Sequence, residues 1–145
     1  MKVDVTTKIE IDKPIQEVWD FATNPDNAPL WYENIISAVW QSPPPLQIGS
    51  LVEFVAKFMG REMRYTYEFK QHAPPNALIM MTSEGPFPMV TEYNFKSLSE
   101  HKTEMTLRNH GEPSGFTSIF SGLMSYMMKR ANNKDLRSIK RMLES

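Results

Sequence analysis

The sequence predicts a single α+β domain, residues 1–145, in which a curved seven-stranded antiparallel sheet wraps around one long C-terminal helix. Two short helices are expected between the first and second strands. Three observations carry this reading. Residues 114–143 form one Met-rich amphipathic segment, with apolar side chains at Phe116, Ile119, Phe120, Leu123, Met127, Leu136, Ile139 and Leu143, mostly at helical spacing. A helix of that length is roughly 40 Å long, enough to cross a small domain. Ahead of it come seven short runs that alternate apolar and polar residues, the period of a half-buried strand. Finally, 145 residues are enough for one core and too few for two.

The elements follow in order. Val3, Val5, Thr7, Ile9 and Ile11 alternate with Asp4, Thr6, Lys8 and Glu10, a strand with one buried face. Asp12-Lys13-Pro14 opens a helix, since proline suits the first helical turn. Ile15, Val18, Trp19 and Ala22 give that helix its apolar stripe, and Asn24-Pro25 ends it. A second helical piece near Asn27 to Tyr32 carries Trp31. Ile35 to Trp40 reads as a strand stopped by Pro43-Pro44-Pro45, and Ile48-Gly49-Ser50 turns into a strand from Leu51 to Phe58. Met59-Gly60-Arg61 is a hairpin turn in which glycine can take positive φ. Strands are then expected at Glu62–Gln71, Ala77–Ser83, Met89–Leu98 and Lys102–His110, broken by Pro74-Pro75-Asn76 and Gly85-Pro86-Phe87-Pro88. Gly49, Gly60 and Gly111 all read as turns.

Composition excludes several classes. Sixteen Lys and Arg nearly balance seventeen Asp and Glu, so no overall field favours nucleic acid or an anionic membrane. Without cysteine there is no disulfide, thiolate metal site or Cys nucleophile. The N-terminus enters a strand pattern with no signal-peptide apolar run, and no stretch approaches eighteen apolar residues, so no stable membrane insertion is expected. A cytoplasmic protein without metal or cofactor is the expectation.

The order and the motifs together resemble the START-like superfamily (SRPBCC), whose helix-grip fold is shared by lipid-transfer domains and birch-pollen allergens. The bacterial polyketide cyclase/dehydrase-like branch is the most similar. The matching residues are Ile11-Asp12-Lys13-Pro14, Val18-Trp19-Asp20-Phe21, Asn24-Pro25, Trp31, Ile48-Gly49-Ser50, Gly60-Arg61, Ser83 to Pro88 and Thr103-Glu104-Met105-Thr106. They span nearly the whole chain. The superfamily holds enzymes, carriers and interaction modules, so function has to come from the site.

In such a fold the concave sheet face packs on the long helix, and the apolar parity of each strand points inward. That places Tyr65, Tyr67, Met81, Thr91, Tyr93 and Asn109 inside, with Met124 and Met127 opposite them on the helix and Trp31 near the mouth. Phe54 and Phe120 complete the candidate ligand-binding set. Tyrosine hydroxyls, an amide and soft Met surfaces describe a cavity for a mostly apolar small molecule with a few polar handles. Lipids, polyketides and aromatic metabolites fit that description.

Catalytic equipment is sparse. By the same parity Glu53, Glu68, Glu92, Arg64 and His110 point outward, and His72 and His101 fall in turns. No HExxH, Gly-rich phosphate loop or GxSxG occurs, and no strand carries an inward carboxylate. The residues name no catalytic group and leave open whether the protein is an enzyme. A cyclase or dehydratase would polarise a carbonyl with Tyr65, Tyr67, Tyr93 or Asn109, and a β-bulge in the sixth strand would bring Glu92 inside. A third reading is an interaction module like the chaperone-ATPase activators of this fold. On the helix, Tyr126 and Met128 would be free for a homodimer or membrane contact, while Lys129, Arg130, Lys134, Arg137, Lys140 and Arg141 form a solvated basic end.

Overall fold

A computed structural model of the chain describes residues 3–58, 60–84, 88–112 and 118–145, with backbone alone for Phe58 and for residues 118–121. Strand β1 (Val3–Ile11) leads into helix α1 (Ile15–Ala22), a 3-10 turn (Pro25–Asn27) and helix α2 (Ala28–Trp31). Six strands follow, β2 (Ile35–Trp40), β3 (Leu51–Phe58), β4 (Arg61–Ala73), β5 (Ala77–Glu84), β6 (Met89–Ser99) and β7 (Lys102–Gly111), and helix α3 (Ser118–Glu144) closes the chain. Residues 114–117 of the expected helix lie outside the described residues.

All seven strands form one antiparallel sheet in the order β1-β7-β6-β5-β4-β3-β2. From β2 to β7 the chain meanders between neighbours, while β1 pairs with β7 in one unbroken register from Val3↔Gly111 to Ile11↔Thr103. The crossing from β1 to the opposite edge is made by α1 and α2. Register shifts interrupt β2–β3 between Ile35 and Ser37, and β4–β5 at Thr66/Tyr67 and Phe69/Gln71. Irregularities of this kind bend a strand and increase its twist. The architecture is the helix-grip α+β arrangement.

Two expectations about local structure change. Strand β4 continues two residues past Gln71, so His72 lies in a strand, with its ring 5.6 Å from that of Trp19. Gly111 ends a strand rather than forming a turn: the backbone carbonyl of Pro88 passes so close that a side chain would have no room. Gly60, at φ 77°, does take the left-handed conformation between β3 and β4.

The core has two parts. The larger one joins α1, α2, the sheet and the distal half of α3 through residues such as Trp19, Trp31, Phe69, Leu107, Leu136 and Ile139. A smaller one joins Val3 and Val5 of β1 to Met124 of α3, with Met128 against it. Between them α3 presents Ala131, Asn132 and Asp135 to the sheet, residues too small or too polar to continue the packing. The void between sheet and helix sits there. Within the larger core Phe69 is fully enclosed. Phe69→Ala is expected to cost ~3–5 kcal/mol, read as a drop in the urea midpoint at unchanged slope.

Candidate ligand cavity

Side-chain alternation brings the inner wall together. Phe54 of β3 stands opposite Tyr65 of β4. Thr91 of β6 stands between Met80 of β5 and Asn109 of β7, and Tyr93 stands between Leu78 and Leu107. Of these, Phe54, Tyr65, Met80, Thr91, Tyr93 and Asn109, together with Tyr67, line a chamber of about 120 Å³. An adjoining chamber of about 150 Å³ lies under α3, lined by Met63, Met89, Met124, Met128, Asn132 and Asp135 among others. The two share Tyr32, Ile35, Ala56, Tyr65, Tyr67 and Asn109 as lining. A volume near 150 Å³ is on the scale that holds one benzene-sized ring.

Polar groups are few and mostly paired. The hydroxyls of Tyr32 and Tyr93 are 2.6 Å apart, and the Thr91 hydroxyl donates to Asn109 Oδ1 at 2.6 Å. Tyr65 donates to the sulfur of Met63 at 3.5 Å. Burial pushes the phenols of Tyr65 and Tyr67 up to about 12, a hydrogen bond with Thr91 opposing the shift at Tyr67. The Tyr32 phenol is raised well above its ordinary value by burial and then by Tyr93, and burial raises Tyr93 in turn. At neutral pH all four are therefore uncharged hydrogen-bonding groups.

One carboxylate does reach the interior, and it comes from the helix. Asp135 is 3 % exposed, and its Oδ1 accepts the backbone N–H of Glu33 at 2.8 Å. Burial pushes its carboxyl up to about 7; the charge of Glu33 adds to the rise, while the Glu33 N–H and the Lys134 ammonium oppose it. Lys134 in turn pairs with Glu33 at 2.9 Å, so the segment that follows α2 is tied to α3 at two points. Among the described lining residues there is no Lys, Arg or His.

Seven of the sequence-derived candidates, Phe54, Tyr65, Tyr67, Thr91, Tyr93, Asn109 and Met124, line the chambers. Phe120 lies outside the described side chains. Met81 is corrected: it is 40 % exposed, and Met80 takes its place inside. Apolar residues occupy both faces of β5, so the strand's own pattern is ambiguous, and its pairing with Thr91 decides. Met127 is corrected as well: it faces the flank of α3 with Tyr126, Arg130 and Lys134, while Met128, expected outside, lines the cavity. Leu123, one of the apolar residues at helical spacing in the sequence, is 48 % exposed. Trp31 is not at the mouth but enclosed behind the wall, its ring centroid 4.0 Å from that of Tyr32. Glu92 stays outside, bonded to His110 at 2.8 Å and to Arg108 at 3.3 Å, because the irregularity in β6 falls at Ser97/Ser99, beyond it.

Sequence reasoning missed Tyr32, Met80, Asn132 and Asp135. For the last two a signal existed: stepping back from Ile139 and Leu136 by three or four residues reaches Asp135, Asn132, Met128 and Met124. Among the described residues, no cluster of His, Cys, Asp and Glu could hold a metal ion, and no helix is long and apolar enough to cross a membrane.

Residues 2–144 match the model of a family described as polyketide cyclase / dehydrase and lipid transport. Among curated proteins no sequence matches the chain. Solved structures with the same fold include the Zhui aromatase/cyclase of a Streptomyces species, at 13 % identity and TM-score 0.83, covering 99 % of this chain and 94 % of that one. Ginseng (Panax ginseng) major latex-like protein gives 16 % identity and TM-score 0.74, with 97 % of each chain covered. A START superfamily protein of Mycobacterium smegmatis gives 12 % and 0.75, covering 97 % of this chain and 94 % of that one.

Proposed function

Because the chain belongs to the polyketide cyclase / dehydrase and lipid transport family, we propose that it binds a small hydrophobic molecule between the sheet and α3. A lipid fragment, a polyketide or an aromatic metabolite would suit the space. One observation carries this reading: the core is interrupted halfway along α3 by two adjoining, mainly apolar chambers with uncharged hydroxyls in their walls. Open chambers favour a ligand over the interaction-module reading, which a filled interior with an exposed apolar patch would favour. The balanced charge of the chain argues against nucleic-acid partners, a chain without cysteine suits the cytoplasm, and the exposed Leu123 and Tyr126 leave a surface for a homodimer contact.

Native mass spectrometry of the purified protein, followed by extraction, tests the reading. A co-purifying apolar molecule is expected, held about tenfold more weakly after Tyr67→Phe, the effect of one lost hydrogen bond. A clean apo mass together with no uptake of small aromatic compounds would overturn it.

Asp135 supports a second reading, a cyclase or dehydratase. A buried carboxyl that titrates near neutrality is suited to give and take a proton. It would take a proton from carbon beside a carbonyl, or give one to a departing hydroxyl, while a tyrosine O–H stabilises charge on the carbonyl oxygen. Turnover that falls ~100-fold or more in Asp135→Asn with binding retained would support it, and unchanged turnover would end it.

A further inference from the structure

Resting on the ligand-binding reading, we propose that Asn132 orients the ligand, and that this ligand is an uncharged molecule presenting a carbonyl-type oxygen, not a carboxylate. Asn132 lies on the inward stripe of α3, one turn beyond Met128 and three residues before Asp135, and it lines the chamber under the helix. It is 5 % exposed, and its Nδ2 is buried without a hydrogen-bond partner. Buried donors are almost always satisfied, so an orphan in a cavity wall points to a partner that arrives with the ligand. Among the described residues the other such donor is Trp31 Nε1, and Trp31 does not line the chambers. An amide N–H calls for an acceptor, and a ketone, ester or amide oxygen supplies one without carrying charge.

The charges around the cavity select against an acid. The described lining offers no cation. Lys134 and Arg130 of the same helix face the flank with Met127 instead. The ionisable groups that do line it are Asp135 and the tyrosines, and a carboxylate seated beside Asp135 would be unpaired and repelled. A free fatty acid is thereby disfavoured, and a neutral carbonyl compound of about one ring is favoured.

Isothermal titration of the intact chain at pH 8 with acetophenone, ethylbenzene and benzoate separates the outcomes. Acetophenone is expected to bind about tenfold more tightly to the wild type than to Asn132→Leu, the worth of one net hydrogen bond. Ethylbenzene should bind both alike, and benzoate should bind the wild type at least ~100-fold more weakly than acetophenone. The comparison with benzoate needs no variant, so it stands even where Asn132→Leu fails to fold. Equal affinity of wild type and folded variant for acetophenone, or benzoate as the tightest of the three, overturns this inference and leaves cavity binding intact. If none of the three binds the wild type, the cavity reading falls with it.

Discussion

Ala56→Phe abolishes uptake of one-ring compounds while the protein remains folded. Ala56 lies on β3 between Ile35 of β2 and Met63 of β4, and it lines both chambers. A phenyl group at this position projects into a space about the size of one ring, so it occupies the volume a ligand would need. The expected loss of affinity is at least ~100-fold, equivalent to about 2.7 kcal/mol. The strand tolerates the change, because aromatic residues are at home in β structure and the added bulk enters empty space instead of packed core. Titration with ethylbenzene, alongside a thermal melt, checks both halves. A folded variant that still binds would place the ligand elsewhere than in these chambers.

Asp135→Asn stabilises the protein at alkaline pH and leaves it unchanged in acid. Below about pH 4 the carboxyl is protonated whether the chain is folded or unfolded, and the substitution gains nothing. Between about 4 and 7 the native protein retains a proton that the unfolded chain has released, because burial holds the folded value near 7. Stability therefore falls as pH rises through that window, and the loss is complete above it. Three units correspond to ~4 kcal/mol at most. Asparagine keeps an oxygen to accept the Glu33 N–H and carries no charge at any pH. Urea unfolding should give the variant an advantage on the order of 2–4 kcal/mol at pH 8 and none at pH 4. A variant less stable than wild type at pH 8 would mean that the ionised carboxylate is stabilising where it lies. Natural chains commonly accept such a cost where a group has work to do.

Where neighbours in sequence decide conformation, the fold was legible. The alternation in β1, the proline before α1 and the glycine between β3 and β4 each act locally, and the elements appear where they were expected. Parity on β5 was not legible in the same way. Ala77, Ile79 and Met81 are as apolar as Leu78 and Met80, so the face is selected by strands that lie elsewhere in the chain. The middle of α3 misled for a related reason. Hydrophobic periodicity assigns polar side chains to solvent, and this helix turns Asn132 and Asp135 inward at the cavity. Leu123 and Met127 then look like the better stripe. Local pattern and tertiary placement tend to disagree at positions kept for something other than stability, and the two inward polar residues are of that kind. Trp31 shows the converse: it was expected near the mouth, yet it packs behind Tyr32, the residue that meets the cavity.

The pairing of β1 with β7 bears on how the chain is made. Thr7 donates to the carbonyl of Leu107 across a hundred positions, and the Val3–Met124 cluster lies further apart still. Pairings so distant in sequence are slow to form, because the entropy of a large loop is lost before any contact is gained. On the ribosome β1 emerges before β7 and α3, and its hydrogen-bonding edge stays open until they have followed. A chain that lacks β7 and α3 leaves that edge available to any other extended segment it meets.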